Sequence, residues 1–72
     1  MNFLHNLDYL LHINKMSRAE LAAMINISVG SMSSKFTGKT EFNLSEILSI
    51  KEILESRTGK ELKIDELFKR GE

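Results

Sequence analysis

The chain has 72 residues, ten basic and ten acidic side chains, and neither cysteine nor proline. That length suits one domain, residues 1–72, near the lower limit for a self-supporting core. The missing thiols exclude a disulfide framework and a thiolate zinc site. No apolar run approaches the roughly 20 residues that span a bilayer, and no basic stretch precedes an apolar one as in a secretory signal. The expected setting is therefore cytoplasmic, with no membrane partner, cofactor or small-molecule substrate.

The formal net charge is zero, but the charge is unevenly placed. Between Lys15 and Lys39 stand Lys15, Arg18, Lys35 and Lys39 against Glu20 alone, a local balance of +3, and the rest of the chain carries −3, mostly from Glu41 onward. A basic patch thus sits on an otherwise acidic chain.

With only four glycines and no proline, helices should dominate. The first is expected over Asn2 to Ile13, where Leu4, Leu7 and Leu11 follow helical spacing and Phe3 and Leu10 widen the stripe. Phe3, Tyr9 and Ile13 are expected in the core; exposure would instead mark them as a dimer or partner contact. His5 and His12 lie seven apart with no third ligand near them and read as ordinary helix histidines. Asn14-Lys15-Met16 interrupts this helix. Ser17 then reads as an N-cap with Glu20 closing a capping box, opening a second helix from Arg18 to Ile25 with Leu21, Ala22 and Ile25 inward.

Asn26 stands where that helix must turn sharply, and asparagine tolerates the left-handed conformation. Ser28 is a second N-cap, for a helix from Val29 to about Phe36 with Met32 and Phe36 facing inward, and Gly38 ends it. After a connector at 40–43, a fourth helix is expected over Leu44 to Arg57, with Leu44, Ile47, Leu48, Ile50 and Leu54 buried and Gly59 as its C-cap. Glu52, Glu55 and Glu61 read as a solvated face. A short fifth helix from Ile64 to Lys69 contributes Ile64, Leu67 and Phe68. The fold class is all-α, a compact five-helix bundle.

Residues 17–37 meet the physical requirements of a helix-turn-helix. Ala22 is the small residue at the helix crossing, Asn26 is the residue tolerant of a left-handed turn four positions on, and Leu21, Ile25, Ile27 and Met32 have the spacing to lock the pair. The stretch RAELAAMINISVGSMSSKFTG resembles the helix-turn-helix of the lambda-repressor-like family, the Cro/CI or XRE type. GKTEFNLSEILSIKEIL resembles that family's fourth helix with its preceding loop, and LKIDELF resembles its closing helix, so the likeness runs from about Leu4 to Phe68.

The resemblance implies that the second helix lies across a DNA backbone while the third, the recognition helix, enters the major groove. Arg18 matches a phosphate-holding position, and Lys15, Lys35 and Lys39 are further candidate phosphate contacts. Ser28, Val29, Gly30, Ser33, Ser34 and Thr37 match the outward positions of the recognition helix. None of these six is the arginine, lysine, asparagine or glutamine that reads base edges through paired donors or acceptors. Serine and threonine offer single hydrogen bonds, and Val29 suits a thymine methyl or an apolar protein surface.

Two functions follow from the resemblance. One is a phage or prophage switch regulator of Cro type, binding double-stranded operator DNA, with a homodimer as the expected form. The other is an antirepressor, a modulator of repression that engages a cognate phage CI-type repressor protein. The basic patch and Arg18 favour the first; the zero net charge and plain recognition helix favour the second. Nothing points to an enzyme: Ser31, Ser33 and Ser34 lie near no histidine in sequence and read as helix surface, and no nucleophile–base pair, metal cluster or phosphate-cradling loop is visible.

Overall fold

The computed structural model describes residues 3–71. Among them are five helices: α1 His5–Ile13, α2 Arg18–Met24, α3 Val29–Thr37, α4 Leu44–Thr58 and α5 Ile64–Leu67. The all-helical fold class expected from the sequence is what the chain adopts.

The start of α1 differs from expectation. It begins at His5, and Asn2 lies outside the described residues. The backbone of the two preceding residues is engaged elsewhere. The carbonyl of Phe3 accepts from Gly71 N–H at 2.9 Å, and Leu4 N–H donates to the Phe36 carbonyl at 3.2 Å. Phe3 and Gly71 thereby form an isolated antiparallel bridge that joins the two ends of the chain.

Both α1 and α2 end in the same hydrogen-bonded turn. Met16 N–H donates to the Leu11 carbonyl and Lys15 N–H to His12; Ile27 N–H donates to Ala22 and Asn26 N–H to Ala23. In each case the paired bonds close a Schellman motif around a left-handed residue. Asn26 takes that conformation at φ 63°, as expected, whereas Lys15 takes it at φ 55° with a side chain poorly suited to it. Helix α2 therefore stops at Met24, one residue before the expected end, with Ile25 as its C-cap. Gly38 and Gly59 cap α3 and α4 in the left-handed conformation.

Helix α2 packs on α3, while α5 packs on α1 and α4. The core holds Leu4, Leu7 and Leu11 from the N-terminal segment, Leu21 and Ala22 from α2, Met32 and Phe36 from α3, Ile50 and Leu54 from α4, and Leu67 from α5. Two connector residues, Met16 and Phe42, are buried with them. An aromatic file crosses the interior: Phe3 to Phe36 at 6.0 Å, Phe36 to Phe42 at 6.4 Å and Phe42 to Phe68 at 5.4 Å between ring centroids. Neighbouring rings at these separations, tilted or edge-on, stabilise beyond simple area burial.

Two expectations about burial and one about a helix end need correction. Tyr9 and Ile13 are exposed, at 64% and 51%, and only Phe3 packs against the core. Each lies two residues beyond a core leucine (Leu7 or Leu11), which at 100° per residue turns it to the opposite side of the helix. On α4, Leu44 and Leu48 are exposed while Ile47, Ile50 and Leu54 face inward. Leu44 and Leu48 lie on a line rotated away from the inward stripe, and the five together span a wider arc than one thin layer covers. Helix α5 ends at Leu67 rather than Lys69, because the chain then turns to bring Gly71 to Phe3.

Candidate nucleic-acid interface

The helix pair α2–α3 is built by local signals. Ser17 Oγ accepts from Glu20 N–H at 3.0 Å and Glu20 Oε1 accepts from Ser17 N–H at 3.1 Å, closing the capping box. Ser28 Oγ accepts from Ser31 N–H at 3.1 Å and opens α3. Such caps contribute about 1 kcal/mol each. Ala22, fully buried, lets α3 approach α2 closely, and Met32 and Phe36 fill the space beneath.

The six residues singled out as the outward face of α3 differ in exposure. Ser28, Val29, Gly30, Ser33 and Thr37 are exposed and Ser34 is half-buried. Val29, at 54% exposure, is the large apolar group of this face. Much of its hydrogen-bonding capacity is already directed inward. The Ser28 oxygen serves as a cap, and the Thr37 hydroxyl bonds back to the carbonyls of Ser33 and Ser34 at 3.1 and 3.2 Å. A Cβ added at Gly30 would meet nothing within 4 Å.

The four cations divide into two kinds. Lys15 and Lys39 are exposed. Arg18 and Lys35 are held by the protein itself. Arg18 Nη2 donates to Asp8 Oδ1 at 3.0 Å, and its guanidinium carbon lies 4.5 Å from the Phe36 ring centroid and 5.1 Å from that of Phe3. Lys35 Nζ donates to Glu46 Oε1 at 3.2 Å and to the Glu41 carbonyl at 3.1 Å, and sits 5.6 Å from the Phe42 ring centroid. The Lys35 and Glu46 side chains are each only 13% exposed. Glu46 also accepts from Asn43 N–H at 2.9 Å while Asn43 caps its backbone at 2.8 Å, so one carboxylate both opens α4 and ties it to α3.

Several residues that shape this surface escaped sequence reasoning. Asp8 is ten positions from Arg18 and belongs to another helix, so no local pattern pairs them. Arg70 donates to the Lys35 carbonyl at 3.0 Å and to Glu41 Oε2 at 3.1 Å, placing a cation at the C-terminal end of α3, where it complements the helix dipole. Glu46 had a readable signal, since Asn43 followed three residues later by glutamate is a capping box.

Elsewhere, Glu55 is not part of a merely solvated face. It accepts from Lys51 Nζ and from Leu62 N–H, both at 2.8 Å, and these bonds hold its carboxyl below the ordinary value of 4.5. Among the described residues no three metal-binding side chains cluster, and no helix is long and apolar enough to cross a membrane.

Two successive helices crossed at a small residue, joined through a left-handed asparagine and presenting one face of the second helix to solvent, define a helix-turn-helix. The chain belongs to the Cro/C1-type helix-turn-helix DNA-binding domain family, whose model matches residues 6–59. Membership of a family of DNA-binding domains supports a DNA-binding regulator of transcription. No curated protein and no solved structure gives a significant match.

Proposed function

We propose that the whole chain, residues 1–72, works as one unit, a phage or prophage switch regulator of Cro type that binds operator DNA in the cytoplasm of a bacterial cell. Helix α3 enters the major groove, and Ser28, Val29, Gly30, Ser33, Ser34 and Thr37 meet the base edges. Lys15, Lys39 and Arg18 contact phosphates; Lys35, engaged with Glu46, is the weakest of the four for that task. The observation that carries this reading is the exposed outer face of α3 within a Cro/C1-type domain, in a chain where Lys15 and Lys39 are also exposed.

A second reading, an antirepressor that docks on a cognate repressor, is favoured by one specific observation. Two of the four cations beside α3 are already paired with carboxylates, and the exposed side chain at its head is Val29. Such a face loses less on meeting an uncharged protein surface than a fully basic one would.

The test is the double variant Val29→Glu with Ser33→Glu, measured separately against operator DNA and against the neighbouring repressor. Loss of DNA binding with a steep salt dependence in the parent supports the first reading. Loss of repressor binding that varies little with salt supports the second. A folded double variant that keeps both interactions overturns the assignment of α3 as the working surface.

A further inference from the structure

Arg18 and Asp8 form a contact that the proposed function does not require. Arg18 is the first residue of α2, and its guanidinium carbon lies over the Phe36 and Phe3 rings. Cation–π contact of this kind attracts an arginine without a charged partner. Asp8 nevertheless reaches across from α1 to take Nη2 at 3.0 Å. The two side chains are 34% and 44% exposed, so the pair lies at the surface, where an ion pair contributes little to stability.

We propose that Asp8 sets the affinity of this domain for DNA by standing in for a backbone phosphate at Arg18. The inference rests on the DNA-binding reading above. A guanidinium has five N–H donors in a planar fork, and phosphate prefers to engage that fork with two oxygens. A phosphate arriving at Arg18 meets a carboxylate already bonded to one arm. It must displace that carboxylate or sit beside a like charge. Either course weakens the sequence-independent part of binding, which comes from phosphate contacts. Binding then depends more heavily on what α3 itself meets. In a chain whose formal charge is zero and whose recognition face carries few base-reading groups, the carboxylate restrains indiscriminate adhesion to DNA.

The test uses a fluorescein-labelled duplex of mixed sequence, about 25 base pairs long, and follows anisotropy from low to moderate salt. Asp8→Asn keeps the size and an acceptor oxygen but removes the charge. It should bind about three- to tenfold more tightly than the parent at low salt, with a log–log salt slope steeper by about 0.9, the signature of one added phosphate contact. Arg18→Gln should weaken the parent by less than it weakens the Asp8→Asn chain, so that the gain from Asp8→Asn disappears in the Arg18→Gln background. Circular dichroism melting checks that each variant folds, and Asp8→Ser replaces Asp8→Asn if the latter does not.

Equal or weaker binding by Asp8→Asn overturns the proposal, the weaker outcome meaning that Asp8 orients Arg18 for phosphate. A gain that survives Arg18→Gln also overturns it, because the effect would then be one of net charge alone. The parent's binding to operator DNA, measured as above, reports separately on the DNA reading. A parent that leaves the mixed-sequence duplex unbound while Asp8→Asn binds it through Arg18 supports the role of Asp8. Failure of every chain to bind this duplex at low salt overturns that role without deciding operator binding.

Discussion

The two ends of α3 are treated in opposite ways. At its head, Ser28, Val29, Gly30 and Ser33 all face solvent. At its tail, nearly every carbonyl has been taken up. Lys39 N–H bonds to Ser34, Arg70 to Lys35, and Leu4 N–H to Phe36, while the Lys35 ammonium is drawn to Glu46. The last carbonyls of a helix have no partner within it, and here tertiary structure supplies them from both ends of the chain. The contrast shows how so small a domain holds α3 steady. Most of the fixing is done from behind; at the head only the Ser28 cap is engaged, and Val29, Gly30 and Ser33 stay open to solvent.

The contrast breaks most sharply at Phe36. This fully buried ring meets Phe3 and Phe42, supports Arg18, and lies directly before the clamped end. Phe36→Ala should destabilise the domain by about 3–5 kcal/mol, combining lost burial with a cavity that neighbouring side chains only partly fill. For a domain of this size that is most of the available stability. Urea denaturation followed by circular dichroism measures it. A loss below about 1 kcal/mol would show that the aromatic file does not anchor α3.

A smaller effect of opposite sign is expected at the head. Gly30 is in helical conformation and has open space around it. Gly30→Ala should raise stability by about 0.5–1 kcal/mol, visible as an increase in Tm. The same methyl stands on the outward face, so binding to the partner of α3 should weaken. If stability rises and binding to both DNA and repressor is unaffected, the head of α3 is not the contact surface. If stability falls, the head has a structural role that its exposure conceals.

This division also explains which parts of the molecule were legible from the sequence. The head of α3 and the turn before it are written in local code. Ser17 with Glu20, Asn26 and Ser28 each act within a few residues of themselves, as the Gly38 cap does at the other end of α3, and all five do in space what their spacing implied. The tail depends on partners far along the chain: Leu4 on Phe36, Arg70 on Lys35 and Glu41, Lys35 on Glu46, Asp8 on Arg18. No spacing rule announces such pairs. A local charge balance is equally blind to them: the +3 between Lys15 and Lys39 includes Arg18 and Lys35, whose carboxylate partners Asp8 and Glu46 lie outside that stretch. Tyr9 and Ile13 were a different kind of miss, because the helical period of α1 already set them opposite Leu7 and Leu11.

The smallest effect concerns the frame behind α3, where Glu55 joins α4 to the segment leading into α5. Its bonds from Lys51 Nζ and Leu62 N–H favour the ionised carboxylate and hold its pKa below the ordinary 4.5 in the folded chain. A carboxyl with a depressed folded value contributes stability that is present above its unfolded pKa and is lost as pH falls through the folded one. Glu55→Gln keeps an oxygen for Leu62 N–H but cannot titrate. The parent should therefore be the more stable of the two near pH 6, and its advantage should shrink steadily below about pH 4.5 as the proton is taken up. The contribution is modest, because Lys51 and Glu55 form a partly exposed pair one helical turn apart. Paired urea titrations at pH 6 and pH 3 measure the difference. A gap between the two proteins that stays constant over that range would mean that Glu55 acts only as a hydrogen-bond acceptor, and that the frame, unlike the surface around Arg18, is indifferent to charge.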